Sequence, residues 1–358
     1  MRYQSVDALR TLAILIMVAV HFSENLSGEV LAIQGVGAPM FVVLSGVSFH
    51  LWSRGLERRG VPHDTVTRRG VRRGLFLFGV GIAFNVLIWL PEDTFNWDVL
   101  TLIGTGLLVL SLVRHAPSAL LLLGAGVAVL FAPALQLTVD ASAYWLNPWY
   151  DYDWTLWDIT VGYLVAGYFP LFPWLALPLV GLVVGRWLYE PGQQERSRGL
   201  RLAGLGAALV AASATLTWIG EASLTPEQHA LLTYRELYPP TIPYALGAIG
   251  SVLALLGLLA ASVDREGAPA SRWRVLTTRF SRASFTLYLL HHVVHVWPLW
   301  VVAVWQGQET TVYWMNAMDQ TTALLLAALF TAGCIPLLGW MERRRVPSIE
   351  QLMRWLAD

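Results

Sequence analysis

The sequence of 358 residues has few charged residues and no lysine. Charged residues make up 13% of it, about half the share of an average soluble domain, while 56% of the residues are hydrophobic and the mean hydropathy is +0.54. This shortage of charge excludes a disordered chain and an ordinary cytosolic domain. All 24 basic residues are arginines, so proteins that bind retinal or pyridoxal phosphate through a lysine Schiff base are also excluded.

The sequence also has a single cysteine and neither of the common nucleotide-binding loops. The single cysteine, Cys334, rules out an intrachain disulfide and a cysteine-rich metal cluster. Neither GxxxxGK[ST] nor GxGxxG occurs, so the chain has no P-loop and no Rossmann-type phosphate loop. Acidic and basic residues balance to a net charge of zero, which gives no indication of a nucleic-acid partner.

Long apolar runs predict the architecture. Runs of about 18–22 mostly apolar residues recur along the chain, and a helix of that length crosses the ~30 Å hydrocarbon core of a bilayer. The sequence therefore predicts an all-α protein, a polytopic integral membrane bundle of about ten helices. The predicted spans are roughly 5–23, 35–53, 74–91, 98–113, 117–134, 170–188, 201–219, 243–262, 283–304 and 320–340.

The arginines predict the orientation of these spans. They cluster in alternate connections, whereas Arg235 alone lies on the opposite side, and arginine-rich connections face the cytoplasm. Both termini are therefore expected to be cytoplasmic. We expect one integral domain over 1–346 and a short cytoplasmic amphipathic helix over 347–358. The arginine clusters lie at 54–73, 196–201, 265–282 and 343–345.

The first predicted span contains ionisable residues, which are costly inside a membrane and are functional candidates by default. At about 100° per residue, Asp7, Arg10, His21 and Glu24 fall on one helical stripe, with Arg10 and His21 about 16 Å apart along the axis. The stripe predicts a polar seam that faces the bundle interior. The alternative is a snorkelling Arg10 paired with Asp7 and a histidine wetted at the far rim.

The ninth predicted span carries a second polar stripe. Ser284, Tyr288, His291 and His295 fall at i, i+4, i+7 and i+11, with His292 beside them. Adjacent side chains diverge on a helix, so a metal ion would need His291 and His295, one turn apart, with further ligands from elsewhere. We therefore predict no metal site, but a hydrogen-bonded stripe that lines the same cavity as the first span.

Four arginines precede the third predicted span in the segment RRGVRRG: Arg68, Arg69, Arg72 and Arg73. Either they are a topology signal, like most such loops, or their guanidinium groups hold phosphates bidentately.

On the opposite side, residues 140–168 hold four aspartates and many tryptophans and tyrosines. That composition is typical either of an interfacial aromatic belt or of a lid over a cavity for a carbohydrate or an alcohol.

Several of these segments, taken in order, resemble a known family. They are VDALRTLAILIMVAVHF, GAPMFVVLSGVSF, RRGVRRGLFLFGVG, NWDVLTLIGTGLLVL, YFPLFPWLALPLVGLVVGR, YPPTIPYALGAIG and FSRASFTLYLLHH. Together they resemble the transmembrane acyltransferases, in particular prokaryotic relatives of the heparan-α-glucosaminide N-acetyltransferase catalytic domain and, more distantly, the acyltransferase-3 family. The resemblance runs from about Asp7 to His292.

The resemblance implies a multi-pass enzyme of a prokaryotic cell membrane. Such an enzyme takes an acetyl or other acyl group from cytosolic acyl-CoA and delivers it to a hydroxyl or amine acceptor outside, such as a carbohydrate. By motif, His21 would be the catalytic histidine, Arg10 its partner, and the four arginines of RRGVRRG the residues at the CoA phosphates. The lysosomal enzyme has its essential histidine in the loop after the first span; that loop has none here, and His21 follows the acyltransferase-3 spacing.

The chemistry of the residues is compatible with this activity. The imidazole of His21 can act as a general base on the acceptor or accept the acyl group itself, and Glu24, one turn on, can orient the ring as a carboxylate does in a triad. A proton-coupled transporter or flippase uses the same kind of intramembrane polar seam, and the prolines of GYFPLFPWLALP would suit its broken helix. The sequence leaves this alternative open, together with the identity of the acyl chain, the identity of the acceptor and the formation of a homodimer.

Overall fold

The computed structural model describes residues 2–89, 91–145, 149–190, 196–223, 238–264 and 271–358. Within these ranges the regular structure is helical and no strand occurs. Nine helices there are long and apolar enough to cross a membrane, and the apolar helix Val99–Val113, with 15 residues, is shorter. The predicted all-α polytopic membrane bundle is confirmed, with this shorter helix in place of the fourth predicted span. Arg235 and Arg265 lie outside the described residues.

Short turns separate most of the helices. The first eight are α1 (Gln4–Ser27), α2 (Gln34–Glu57), α3 (His63–Ile88), α4 (Val99–Val113), α5 (Ser118–Thr138), α6 (Leu156–Val161), α7 (Leu171–Trp174) and α8 (Ala176–Tyr189). In the rest of the described residues follow α9 (Arg196–Ser223), α10 (Ile242–Val263), α11 (Arg272–Arg282), α12 (Ser284–His295), α13 (Trp297–Trp305), α14 (Thr310–Met315), α15 (Gln320–Arg344) and α16 (Ile349–Ala357). Short 3₁₀ turns cover Pro91–Phe95 and Ala141–Trp145.

Helix α3 begins well before the predicted third span. It starts at His63, so the arginines of RRGVRRG lie on its first turns rather than in a loop, which corrects the prediction. Gly70 and Gly74 are buried, and a Cβ on Gly74 would lie 2.8 Å from the carbonyl oxygen of Gly104 in α4. A hydropathy pattern takes arginines as the end of a span, but arginine is a good helix former. The close contact with α4 holds these polar turns in the helix.

The predicted ninth span, 283–304, consists of two helices. α12 ends at His295 and α13 starts at Trp297, followed by Pro298, whose ring cannot continue the hydrogen-bond ladder of a helix. The helix α11, which precedes α12, is absent from the sequence prediction. Ala283, at φ −108° and ψ 19°, separates α11 from α12. The helical spacing of α12 therefore does not extend back into α11.

The segment GYFPLFPWLALP interrupts a helical span, as its prolines predict. α6 passes into a π-helical turn, Gly162–Ala166, and non-helical backbone follows as far as Pro170. Regular helix resumes in α8. The predicted sixth span is thus the second part of a longer, broken segment.

The aromatic segment at 140–168 forms a small core of its own. Four of its residues are buried there: Ala141, Tyr150, Val161 and Ala166. Tyr144 donates a hydrogen bond of 2.6 Å to Asp158 Oδ1; burial, and after it this bond, raise the pKa of the Tyr144 hydroxyl, so it remains a donor. Trp154 and Trp157, in contrast, are 61% and 66% exposed. Because most rings pack on one another while these tryptophans face outward, the segment fits an interfacial belt better than a lid.

The contacts divide the chain into two compact units, one made of Phe41–Ser262 and the other of Arg2–Met40 with Val263–Leu356. In the first unit, α3 packs on α4, and α5 packs on α8. In the second, α1 packs against α11, α12, α14 and α15 and is the central helix. The single cysteine, Cys334 of α15, is 2% exposed. The single integral domain over 1–346 stays a prediction.

The amphipathic tail predicted at 347–358 forms the helix α16, which begins with a capping box between Ser348 and Gln351. The Glu350 carboxylate accepts hydrogen bonds from the backbone N–H groups of Phe285 and Thr286, at 2.7 and 3.2 Å, and from Thr286 Oγ1 at 2.7 Å. The first N–H groups of a helix have no partner within it, and its dipole favours a negative charge there. The tail therefore caps the N-terminus of α12.

Glycines set the distance between α2 and α8 in the first unit. A Cβ on Gly46 would lie 2.1 Å from the carbonyl oxygen of Pro178. We expect Gly46→Ala to force the two helices apart and to lower the free energy of unfolding by about 1–3 kcal/mol. In the control, Gly55→Ala on the same helix, nothing lies within 4 Å of the added Cβ. Thermal unfolding in detergent measures both variants, and equal melting temperatures would contradict the prediction.

Candidate active site

In the second unit, α1 and α12 bring His21 against the histidines of α12. His21 Nδ1 lies 2.8 Å from His291 Nε2, and the two rings are stacked with centroids 5.1 Å apart. The ring centroid of His292 is 4.7 Å from that of His21, and the ring centroid of His295 is 5.6 Å from that of His291. The two polar stripes of the sequence thus meet in four histidines, which we term the histidine cluster.

Each histidine of α12 is held by its own helix. Nδ1 of His291 lies 3.1 Å from the carbonyl oxygen of Leu287, Nδ1 of His292 lies 3.3 Å from that of Tyr288, and Nδ1 of His295 lies 2.5 Å from that of His291. A carbonyl oxygen only accepts hydrogen bonds, so each Nδ1 carries the proton. In the neutral rings, the three Nε2 atoms therefore hold lone pairs.

This hydrogen-bond network assigns the tautomer of His21. Because His291 Nε2 has no proton to give, the 2.8 Å contact is a hydrogen bond that His21 Nδ1 donates. The other ring nitrogen of His21, Nε2, is then unprotonated and able to take a proton. At the far end of the cluster, Asn25 Nδ2 donates to His295 Nε2 at 2.8 Å. In this tautomer the lone pair of His21 lies on Nε2, the ring nitrogen that does not contact His291.

His291 and His292 do not diverge, which corrects the prediction for adjacent residues. Their ring centroids are 3.9 Å apart, because each Nδ1 bends back to a carbonyl one turn earlier and both rings lean toward His21. Nitrogens of the three residues lie within 4.8 Å of one another and could hold a metal ion by residue type. However, two nitrogens on tetrahedral zinc are about 3.3 Å apart, and the 2.8 Å contact is a hydrogen-bond distance. The arrangement fits a hydrogen-bonded network better than a metal centre.

Glu24 does not contact the ring of His21. Its half-buried carboxylate makes no hydrogen bond to His21 in the described part of the chain, and His291 occupies the Nδ1 side of the ring. The prediction that Glu24 fixes the tautomer is therefore corrected, since the ring turns away from its own helix toward α12. Besides His21, α1 contributes Asn25, through its hydrogen bond to His295, and Phe22, whose ring contacts that of His295; the sequence prediction omits both.

A second network lies nearer the start of α1. Asp7 is 3% exposed; its Oδ1 accepts from Ser281 Oγ at 2.7 Å and its Oδ2 from Arg2 Nε at 2.6 Å. Arg10 Nη1 donates to Ser281 Oγ at 2.8 Å. Arg2 is thus an ionic partner of Asp7, and Ser281 links Asp7 to Arg10. The sequence prediction contains neither Arg2 nor Ser281.

The sequence predicts that two further residues of α12, Tyr288 and Ser284, line the cavity. Tyr288 packs against the histidine cluster and Ser284 does not. Tyr288 is 6% exposed, and its ring centroid lies 5.7 Å from that of His291. Ser284 is the first residue of α12, and its hydroxyl makes no hydrogen bond to another described residue. The chain leaves helical geometry at Ala283, and the serine before that break, Ser281, is the one that reaches Asp7.

The four arginines of RRGVRRG lie on α3, in the first unit. Helical spacing puts Arg68 with Arg72 on one face, where both are exposed, and Arg69 with Arg73 on the neighbouring face, where both are half-buried. The guanidinium of Arg73 lies 4.3 Å from the ring centroid of Trp52, a cation–π contact. The other three form no ion pair with a described residue, so α3 presents their charge at its surface.

A second group with histidines lies in the first unit and is absent from the sequence prediction. Glu57, His63 and His115 offer ligand atoms within 4.8 Å of one another. Glu57, however, pairs with Arg54 at 3.3 Å and, through a short hydrogen bond, with Arg114. Burial, and after it the charge of Arg114, lower the pKa of His115. Two guanidinium groups on the one carboxylate oppose a divalent cation, so we interpret this group as structural.

A known protein family matches much of the chain. The model described as heparan-alpha-glucosaminide N-acetyltransferase, catalytic, matches residues 2–214, which is more than half of the sequence. The matched region includes Arg10 and His21 on α1 and the four arginines on α3, whereas α12 and its histidines follow that region. No curated protein matches the chain. His21 is thus the member of the histidine cluster that lies inside the matched residues.

Proposed function

The chain belongs to the family of the heparan-alpha-glucosaminide N-acetyltransferase catalytic domain, and on this premise we propose that it transfers acetyl groups from acetyl-CoA to a hydroxyl or amine acceptor. Family and helices together make it a multi-pass transmembrane acetyltransferase. We further propose that the donor binds from the cytoplasm, because arginine-rich connections face that side. The acceptor is proposed to be a carbohydrate on the other side, and the membrane the cell membrane of a prokaryote.

The hydrogen bond from His21 to His291 is the observation that carries this proposal. His21 Nε2 takes the proton of the acceptor O–H or N–H while the acceptor atom attacks the thioester carbonyl carbon. The C–S bond breaks, and CoA leaves as a thiolate that takes the proton from Nε2. His291 keeps accepting the bond from His21 Nδ1, which holds the ring and stabilises its imidazolium form, as an orienting partner does in a triad.

The lone pair on His21 Nε2 also permits a two-step route. Nε2 attacks the thioester carbonyl itself, CoA leaves as a thiolate, and acetyl-His21 forms. The thiolate takes a proton from water and CoA dissociates; the acceptor then attacks the acetyl group and releases its proton to the hydroxide left in the solvent, and the bond from Nε2 to the acetyl carbon breaks to restore the free imidazole. This route gives ping-pong kinetics and an acetylated protein that mass spectrometry detects, whereas direct transfer gives neither. Both routes depend on the same nitrogen.

Arg10 is proposed to place the donor rather than to touch the reacting atoms. It lies about three turns, roughly 16 Å, from His21 along α1. Ser281 holds its guanidinium, and Asp7 in turn holds Ser281. This distance suits the elongated thiol arm of CoA lying between the two side chains. The two networks of the second unit would then have separate tasks, donor placement and proton transfer.

The arginines of α3 are proposed to hold the phosphates of CoA. Arg69→Glu combined with Arg72→Glu should weaken CoA binding by at least about tenfold, because a hydrogen bond to a charged group contributes roughly 1.5–3 kcal/mol. The control is Arg196→Glu combined with Arg201→Glu, which reverses two exposed charges at the start of α9. Equilibrium binding of CoA to the purified proteins measures the effect. Undiminished affinity in the first variant would disprove this assignment.

Reconstitution into vesicles tests the function as a whole. Acetyl-CoA labelled in its acetyl group is supplied on the side of the arginine-rich turns, and amino sugars and sugar alcohols are supplied on the other. We expect labelled acceptor to appear only when both substrates are present. Movement of an unmodified sugar across the vesicle, with no acetyl transfer, would instead support the transporter alternative.

A further inference from the structure

A cavity of about 830 Å³ lies in the second unit, where α11, α15 and α16 meet. Its volume is in the range of small-molecule binding sites. Five arginines and one carboxylate line it, which leaves a large excess of positive charge. These charged residues are Arg2, Arg279, Arg282, Arg345, Arg354 and Glu342.

Two of the five arginines have an ionic partner. Arg2 pairs with Asp7 at 2.6 Å, and Arg279 pairs with Glu342 at 2.9 Å. These two guanidinium groups are neutralised by carboxylates of their own unit. Their charge therefore does not call for a ligand.

The other three arginines have no counter-ion among the residues that the structure describes. Arg282 and Arg345 form no ion pair there, and Arg354 Nε donates to the backbone oxygen of Glu350, one turn back on α16, at 3.2 Å. Like charges that share one cavity repel each other. All three lie at exposed positions, and an anion bound between them would reduce this repulsion.

The backbone of Arg345 gives a second, independent indication. Arg345 ends α15 at φ 55° and ψ 32°, in the left-handed region that glycine usually occupies at the end of a helix. A side chain in that conformation costs free energy, and residues under such strain cluster at functional sites; Trp97 and Asp140 also have a positive φ elsewhere in the described chain. The chain thus has Arg345 at a backbone position where a glycine would give the more stable helix end.

The surroundings of the cavity indicate where its ligand comes from. α11 and α16 are short, and Trp273 and Trp355 on them are 43% and 79% exposed. Amphipathic helices of this kind lie in the plane of the membrane surface. The cavity is lined by arginines from two of the arginine clusters of the sequence, 265–282 and 343–345, and anionic phospholipids at the cytoplasmic surface attract clustered arginines.

We propose that this cavity binds the phosphate groups of an anionic ligand at the membrane surface, held by Arg282, Arg345 and Arg354. Guanidinium groups match phosphate oxygens in bidentate hydrogen bonds. Two ligands offer this chemistry here. One is the headgroup of an anionic phospholipid; the other is CoA, a source that alone rests on the proposed function and that would place CoA phosphates here rather than at the arginines of α3.

The test compares two double variants of the full chain. Arg345→Gly with Arg354→Gln removes two guanidinium groups from the cavity and relieves the strained backbone, so the fold should be kept. Arg343→Gln with Arg344→Gln is the control, because it removes two charges from the same helix end outside the cavity. Native mass spectrometry measures binding of dioleoylphosphatidylglycerol, with dioleoylphosphatidylcholine as the neutral reference, and a separate titration measures CoA.

We expect the cavity variant to lose affinity for at least one phosphate ligand by roughly tenfold for each guanidinium removed, while the control loses little. Loss for phosphatidylglycerol alone identifies the lipid, loss for CoA alone identifies the donor, and loss for both means that they share the site. Unchanged affinity for both, or an equal loss in the control, would overturn the proposal. Arg282→Gln, at an exposed position, is judged in the same way if the double variant does not fold.

These measurements follow binding and not acetyl transfer. A chain that fails to acetylate any acceptor would refute the proposed function and would leave the phospholipid result intact. A chain that acetylates normally but shows no loss in the cavity variant would refute the cavity alone. The two proposals can therefore fail separately.

Discussion

His21→Ala is expected to lower the rate of acetyl transfer by about 10²–10⁴-fold, while the purified protein still binds acetyl-CoA. The variant removes the nitrogen that takes the acceptor proton, whereas the contact between Arg10 and Ser281 stays in place. A larger loss is expected if acetyl-His21 is an intermediate. The measurement is transfer of labelled acetyl to a panel of amino sugars and alcohols in vesicles, with CoA binding measured on the same preparation.

The control for this variant is His63→Ala. It removes an exposed imidazole that lies outside the histidine cluster, and its transfer rate should equal that of the unaltered chain. Acetyl transfer at the unaltered rate in His21→Ala would show that another group acts as the base.

His291→Leu is expected to slow acetyl transfer by about 10²-fold, the size of effect that a misplaced reacting group has, and His291→Gln should restore most of the rate. Leucine removes the acceptor for His21 Nδ1–H, so the ring is no longer held in its tautomer and a polar N–H group loses its partner. The side-chain carbonyl of glutamine can accept that bond. Both variants lose the contact with Leu287 equally, so the difference between them reports the contact with His21.

Two readouts separate this positioning role from general damage. Steady-state kinetics should show a change in kcat with little change in KM for acetyl-CoA. Nitrogen-15 NMR of labelled histidine should show a protonated Nδ1 and an unprotonated Nε2 for His21 in the unaltered chain, and a different tautomer in His291→Leu. Equal rates in the leucine and glutamine variants would rule out a role for this hydrogen bond.

The meeting of α1 and α12 could be predicted from the sequence, whereas the partner of His21 could not. Ionisable groups repeated on one stripe of an apolar helix must face other protein rather than lipid, which points both stripes inward. Spacing, however, makes Glu24 the nearest carboxylate, and it gives no sign of a partner 270 residues away. Which residue becomes the partner of His21 depends on the direction in which its imidazole turns. The backbone carbonyls of α12 determine that direction, because they hold the rings of His291 and His292 facing His21.

The network at Asp7 shows a different limit. The pattern extends the stripe of α12 back to Ser284 because it assumes an unbroken helix. The break at Ala283 ends that register, so the serine that reaches Asp7 is Ser281. Likewise, Arg2 lies before the first turn of α1, where helical spacing cannot place a side chain. Periodicity predicts contacts within a helix but not across its ends.

The start of α3 follows from packing rather than from hydropathy. Arginines in RRGVRRG end an apolar run, so the predicted span begins after them. In the structure, Gly70 and Gly74 between those arginines allow α4 to come close, and the helix continues through the charged residues. Small residues spaced four apart within a basic segment are the signal that could have extended the predicted helix.

The burial of Cys334 within α15 has a practical consequence for mapping this membrane protein. With no second thiol and no lysine amine in the sequence, reagents for either group find almost no native target on the folded chain. A cysteine introduced as Arg59→Cys or Gln308→Cys, both at exposed positions, would then be the one site that an impermeant maleimide labels. The face of the membrane on which each turn lies could be determined in intact cells without first replacing a native residue.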